Sequence, residues 1–231
     1  MNFFDSLICE VSALTDASQK IIYPYNEKAV WTDVGYSQVI LQRDTAFELD
    51  GVGFNLFTSA TVEDGIVVVD DELSVIAENR KFARVCIVQL EKNDDEQEYY
   101  KIIKKADYVK YHHFPEGYMI RTTSRSHRES VRVAKSALKK GISFEKAGNM
   151  LINKYKENPM VKAVKVIYIT SEEADYSRIE SIAQKSSTIT ETLNHVMNSV
   201  KFDCDTCNLK PVCDEVEGMK ELHFKKTSMG V

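Results

Sequence analysis

The sequence predicts a mixed α+β fold, and three features carry that expectation. Short β-branched runs crowd the first half, with an antiparallel-rich sheet as the arrangement that joins them most directly. Strand-like and helix-like stretches alternate in the second half. A last amphipathic stripe at Ile189, Leu193, Val196, Met197 and Val200 predicts a C-terminal helix that leads into a cysteine-rich tail. No repeat, low-complexity tract or Pro/Gly linker cuts the chain. The expected organisation is therefore one α+β domain over residues 1–200 and a metal-binding tail over residues 201–231.

Residues 1–35 have weak periodicity and are expected to be partly irregular. Strands are expected at Val39–Arg43 and Phe54–Phe57, and across Ala60–Val69, where Asp64-Gly65 between β-branched runs signals a hairpin. Ala83–Leu90 reads as a strand buried on both faces, and Asn93–Glu98 as a solvated acidic loop. Apolar residues at 102, 103, 106 and 109 give Tyr99–His113 a helical stripe. Tyr118–Arg121 and Ser130–Val133 are short strand candidates. Ser143 is placed to cap a helix whose apolar face is Phe144, Ala147, Leu151, Ile152 and Tyr155. Ala163–Ile169 is the clearest strand pattern in the chain.

The 231 residues carry a net charge of -5, so the overall field does not favour nucleic acid. No apolar run approaches the ~20 residues that span a bilayer, and the first ten residues lack the basic start of a signal peptide. The expectation is a cytoplasmic protein that binds neither membrane nor nucleic acid. Five cysteines are an odd number, which argues against a disulfide framework. Cys9 and Cys86 sit in apolar stretches and are expected to be small buried hydrophobes.

Cys204, Cys207 and Cys213 form a C-x2-C-x5-C run, with His223 ten residues further on. Three thiols this close in sequence reach one metal centre without costly loop closure. The spacing suits an iron–sulfur cluster, and a [4Fe-4S] cubane best. Structural zinc, the alternative, usually pairs two short hooks, and no second hook is present. Adventitious binding by a surface tail is the bland reading. Asp203, Asp205 and Asp214 around the thiols disfavour a simple reactive cysteine, with Lys210 offsetting part of their charge. His223 is a candidate fourth ligand or an exposed histidine of a short helix.

His112 and His113 end the first predicted helix, where cations are favoured without any metal. His195 reads as a packing or exposed residue, and His127 lies among basic residues. Residues 121–140 hold Arg121, Arg125, Arg128, Arg132, Lys135, Lys139 and Lys140 against a single acid, Glu129. Arg121, Arg125, Arg128 and Arg132 could grip phosphates such as those of coenzyme A, or dock an acidic partner. A solvated face explains them equally well. No P-loop, G-x-G-x-x-G, G-x-S-x-G or H-E-x-x-H is present. Arg43-Asp44 and Asp70-Asp71-Glu72 are charged residues at expected strand ends without an assigned role.

From about Gln38 to Thr170 the chain resembles the C-terminal half of acetyl-CoA synthase, the β subunit of the carbon monoxide dehydrogenase/acetyl-CoA synthase complex. Three segments carry the likeness: residues 62–69 (VEDGIVVV), 131–155 (VRVAKSALKKGISFEKAGNMLINKY) and 161–171 (VKAVKVIYITS). The resemblance implies that the same order of elements leads into a cluster site, a cubane bridged to two nickel ions in the family. Cys204 and Cys207 match its first cysteine pair. Cys213 takes the third position after a shorter gap, and His223 stands where the family has its fourth cubane cysteine. Imidazole is a competent iron ligand.

The sequence to Val231 contains neither the later Cys-Gly-Cys that holds the family's nickel nor the N-terminal part that contacts the dehydrogenase. The expectation is thus an iron–sulfur protein of anaerobic one-carbon or carbon monoxide metabolism, acting in electron transfer or as an accessory protein. Its expected partners are a corrinoid or methyltransferase protein, or a carbon monoxide dehydrogenase-type protein, with coenzyme A as a further ligand. One alternative is a CO-methylating, acetyl-CoA synthase-like transferase with a reduced nickel site at Cys207. The other is an interaction module whose zinc or cluster is structural.

Overall fold

A computed structural model describes residues 3–16, 18–93, 95–123 and 127–197, with residues 210, 211 and 216 besides. Its centre is one seven-stranded mixed sheet in the order β1-β3-β7-β4-β2-β6-β5. The strands are β1 (Lys20–Pro24), β2 (Thr45–Thr58), β3 (Gly65–Val69), β4 (Arg80–Leu90), β5 (Tyr118–Thr122), β6 (Arg128–Ala134) and β7 (Val161–Ile169). Among the described residues five α-helices accompany them: α1 (Asp5–Asp16), α2 (Glu96–Tyr108), α3 (Lys135–Lys140), α4 (Phe144–Lys156) and α5 (Tyr176–Met197).

Strands β4 and β2 lie at the middle, and their sequences show why. Phe82 to Val88 of β4 and Val52 to Thr58 of β2 are buried without a break. A continuously buried strand needs cover on both faces, and helices supply it. Helix α4 packs on β3 and β7, while α5 packs on β2 and β4 with α1 and α2 beside it. Phe82, Phe144 and Tyr168 stack against one another where α4 meets the sheet, with ring centroids 4.3 to 6.1 Å apart.

The expected mixed α and β content is present, and the strand pairing differs in detail. Four pairings are antiparallel (β1–β3, β2–β6, β4–β7, β5–β6) and two are parallel (β2–β4, β3–β7). Asp64-Gly65 does not close a hairpin. Strand β3 instead pairs with β1 and β7, away from β2. Asp64 acts as a side-chain bridge: its Oδ1 accepts from the Val164 amide at 2.7 Å, and its Oδ2 meets Lys156 Nζ at 2.5 Å. A carboxylate in a turn can serve its neighbours in space as readily as its own backbone, and here the long-range bonds win.

Other expectations also change. The N-terminal stretch is not irregular throughout: α1 buries Leu7 and Val11, and β1 joins the sheet. Val39 to Arg43 is not a strand, since Gln42–Asp44 turns as a short 3-10 helix before β2. The acidic loop before Tyr99 already starts α2, because Asp95 accepts from the Gln97 and Glu98 amides as an N-cap. Cys9 is exposed rather than buried, whereas Cys86 is buried as expected.

Helix α4 forms as its sequence asks. Ser143 Oγ accepts from the Lys146 amide at 3.1 Å, and Phe144, Ala147, Leu151, Ile152 and Tyr155 are all buried. One residue adds to this that the pattern did not reveal. Glu72 is buried, and its Oε1 accepts from the Leu73 amide and, at 2.5 Å, from the Phe144 amide at the helix start. A carboxylate at the positive end of a helix is favourable. Ser143→Ala is expected to cost about 1 kcal/mol, read as a lowered denaturation midpoint with an unchanged slope. An unchanged midpoint would mean that Glu72 alone holds this helix start.

Candidate functional site

The residues with the strongest chemical signature, Cys204, Cys207, Cys213 and His223, lie outside the described residues. Helix α5 is the described element nearest to them in sequence and runs to Met197. Among the described residues, no group of three or more His, Cys, Asp or Glu is placed to hold a metal ion. Cys86 is fully buried beside Arg84, whose Nη1 lies 3.1 Å from its sulfur, and burial pushes its thiol up. It is a packing residue.

The basic segment is less free than its sequence suggests. Arg128 pairs with Asp50 at 2.6 Å, and Arg132 pairs with Glu48 at 2.6 Å while donating to the Ile40 carbonyl. Both acids sit on β2, which aligns antiparallel with β6, so the register sets acid against base across the strands. Lys140 pairs with Glu116. Arg121 is exposed on β5, and Arg125 lies outside the described residues. An anion at this surface would have to compete with carboxylates already in place.

The chemically dense part of the described fold is a polar network inside the sheet. Its scaffold is an alternation on β2: Gly51, Gly53 and Asn55. Gly53 leaves room for the fully buried Glu129, because a Cβ there would fall 2.1 Å from Glu129 Oε2. Glu129 binds Arg84 through two bonds, Nε to Oε1 at 2.8 Å and Nη2 to Oε2 at 2.5 Å. This two-pronged geometry is the one that best compensates for removing both charges from water. Burial pulls the Arg84 guanidinium down, but Glu129 outweighs it and holds it well above its ordinary range.

Asn55 continues the network. Its Oδ1 accepts from Tyr155 Oη at 2.8 Å, and its Nδ2 donates to Asp107 Oδ1 at 2.9 Å. The Asn55 carbonyl accepts from Ser186 Oγ of α5. Asp107 also binds Lys110, whose side chain is only 3% exposed. Strand β6 stops pairing with β2 at Val52↔Arg128, and the Gly53 amide makes one last bond to the His127 carbonyl. Beyond that point Asp107 of α2 bonds to Asn55 of β2, and Lys110 of the 3-10 turn after α2 bonds to Asp107.

Two cavities open where β6 gives out. The smaller, of about 430 Å³, lies between Asn55, the end of α2 and the α5 residues from Ser186 to Asn194. The larger, of about 1180 Å³, runs between the β2–β6 surface and α5 from Tyr176 to Glu191. His127, Ser187 and Glu191 line both. His127 has a left-handed φ of 50°, a conformation that costs a non-glycine residue free energy. Its Nε2 is buried without a hydrogen-bond partner among the described residues. Burial, and then the Lys110 charge, lower it to about 4.

His113 departs from its sequence reading. It is not a charged helix-end residue but lies in the core, 3% exposed, with neither ring nitrogen hydrogen-bonded among the described residues. Burial lowers it to about 3, with Arg84 and Lys154 adding to the effect. His112, the neighbour, does cap the turn, with Nδ1 3.1 Å from the Tyr108 carbonyl. His195 is half-buried in the last turn of α5.

Sequence reasoning gave no role to Asn55, Arg84, Asp107, Lys110, Glu129 or His127. Two signals were available. Arg84 interrupts an otherwise apolar strand, and a charge inside a buried strand requires a buried partner. Glu129, the only acid in the basic segment, was the natural candidate.

A family model described as CO dehydrogenase/acetyl-CoA synthase complex beta subunit matches residues 33–174. No curated protein matches the chain significantly. The matched span contains β2 to β7 with α2, α3 and α4, hence Arg84, Glu129, Asn55 and both edges of the His127 loop, and it ends just before α5. It covers 142 of 231 residues (33 through 174), more than half of the sequence. The chain therefore belongs to the family of the CO dehydrogenase/acetyl-CoA synthase complex beta subunit.

Proposed function

We propose that this protein is an iron–sulfur protein with an acetyl-CoA synthase-related role in carbon monoxide or one-carbon metabolism, acting in electron transfer or as an accessory to the complex. The observation that carries the reading is the donor set Cys204, Cys207, Cys213 and His223, following a domain of this family. Three thiolates and an imidazole suit the soft-to-borderline iron of a [4Fe-4S] cluster. Such a cluster, when bound, accepts and passes single electrons. Zinc is the alternative occupant.

Family membership supports a carbon monoxide dehydrogenase-type partner. A corrinoid or methyltransferase protein and coenzyme A are further candidates, the latter at Arg121, Arg125, Arg128 and Arg132. Because Arg128 and Arg132 are already ion-paired, coenzyme A phosphates are expected to bind there only by displacing Asp50 and Glu48.

The test is the EPR spectrum of the dithionite-reduced full chain and of its variants. Loss of the cluster signal in Cys207→Ser, and an altered signal in His223→Ala, are the expected results. A His223→Ala spectrum identical to wild type would remove His223 from the ligand set. A second reading, acyl or methyl transfer at nickel with Cys207 as the bridging ligand, draws only on the family. Stoichiometric nickel together with acetyl exchange on coenzyme A would favour it, and absence of both would eliminate it.

A further inference from the structure

We infer that the cavity of about 430 Å³ between β2, the end of α2 and α5 is a binding site for a small monocarboxylate, held by Lys110 and His127. The inference is independent of any metal in the tail, since every residue it uses lies in the α+β domain.

Two observations point to a ligand. His127 is 7% exposed, lines the cavity, and has a buried Nε2 with no hydrogen-bond partner among the described residues. Buried polar atoms are nearly always satisfied, and an orphan on a residue that lines a cavity is explained when a ligand or water reaches and completes it. Its left-handed backbone is tied to β2, since its carbonyl accepts from the Gly53 amide at 2.9 Å. Lys110 is the second observation: a buried ammonium with three donors, one of which goes to Asp107. Donors remain for an oxygen on the cavity side.

Charge selects the ligand class. The charged lining is Lys104 and Lys110 against Asp107 and Glu191, two against two. A metal cation would meet both ammonium groups, and a phosphate dianion would lack the cationic excess that normally holds one. A single carboxylate is the best match, because one oxygen can take Lys110 and the other a His127 N–H. The neutral imidazole supplies that N–H when its proton is on Nε2. The Ser187 and Thr190 side chains and the Phe54 ring complete a wall with room for a short apolar chain.

Acetate titrated into the full-length protein, followed by the backbone amide NMR shifts of Gly53, Ser187 and Thr190, is the test. The expected result is a saturable shift that weakens about tenfold or more in His127→Ala and in Lys110→Met, and a clearly weaker response to the uncharged isostere acetamide. Circular dichroism checks that each variant is folded; should Lys110→Met unfold, His127→Ala and His127→Gln carry the comparison. No saturable shift with acetate, equal binding of acetamide, or unchanged affinity in the folded variants would each overturn the assignment.

Discussion

Glu129→Ala is expected to lower the unfolding free energy by about 3–5 kcal/mol, the usual cost of stranding one member of a buried ion pair. Arg84 would be left in a site where its side chain is 4% exposed, with only Cys86 near its guanidinium among the bonds described. Glu129→Gln keeps the shape but not the charge, and is expected to lose most of the same amount. The converse change is more diagnostic. Arg84→Met combined with Glu129→Leu removes both charges and is expected to restore most of the stability, since an apolar pair of similar volume often does as well. Denaturant midpoints of the three variants decide this. A double variant as unstable as Glu129→Ala would mean that the pair is needed for something besides its own compensation, such as the position of Gly53 and β6.

Acid is expected to destabilise the fold well before its carboxylates titrate. His113 and His127 are held near 3 and near 4, against an ordinary 6.5. Below pH ~6.5 the unfolded chain takes up protons that the folded chain refuses. Stability is therefore complete above that value and is lost as pH falls toward the folded values. Each histidine contributes up to about 1.4 kcal/mol per pH unit, or roughly 2 kcal/mol between about pH 7 and pH 5. Glu72 works in the opposite sense: burial raises its carboxyl, so its contribution is lost as pH rises from the ordinary value and recovers slightly on acidification. Thermal melts across this range are expected to show a falling Tm, with a shallower slope in His113→Leu. Equal slopes in wild type and His113→Leu would show that His113 gains a partner or water on protonation.

The parts of the fold that could be read from sequence are those where one residue type meets one local need. Ser143 caps α4, the stripe Phe144–Tyr155 is buried, and Ala83–Leu90 and Ala163–Ile169 are strands because short runs rich in β-branched and apolar residues suit a doubly covered sheet. The Asp64-Gly65 hairpin was misread because a local turn signal does not say which strand comes next in space. Strand β3 finds β7 nearly a hundred residues later, and no local pattern encodes that choice. His113 was misread for a related reason: its burial depends on how the 3-10 turn after α2 meets α4.

The candidate sites divide in the same way. The cysteine run lies outside the described residues, so its reading as a metal site rests on thiol spacing alone. The network of Arg84, Glu129, Asn55, Asp107 and Lys110 is assembled from three strands, α2 and the 3-10 turn after it, most of them separated by tens of residues. Only the oddity of a charge in a buried strand hinted at it. The basic segment left an anion site, an acidic partner and a solvated face equally open, because its counter-charges, Asp50 and Glu48, lie on a different strand. Family membership supports a role in carbon monoxide or one-carbon metabolism, and Cys204, Cys207, Cys213 and His223 are the proposed donors for a cluster.

The most direct test of that account is the iron and acid-labile sulfide content of full-length protein purified without oxygen. About four irons and four sulfides per chain, falling to background in a variant with Cys204, Cys207 and Cys213 all changed to serine, is the predicted result. Protein that holds zinc alone, or neither iron nor sulfide, would contradict it.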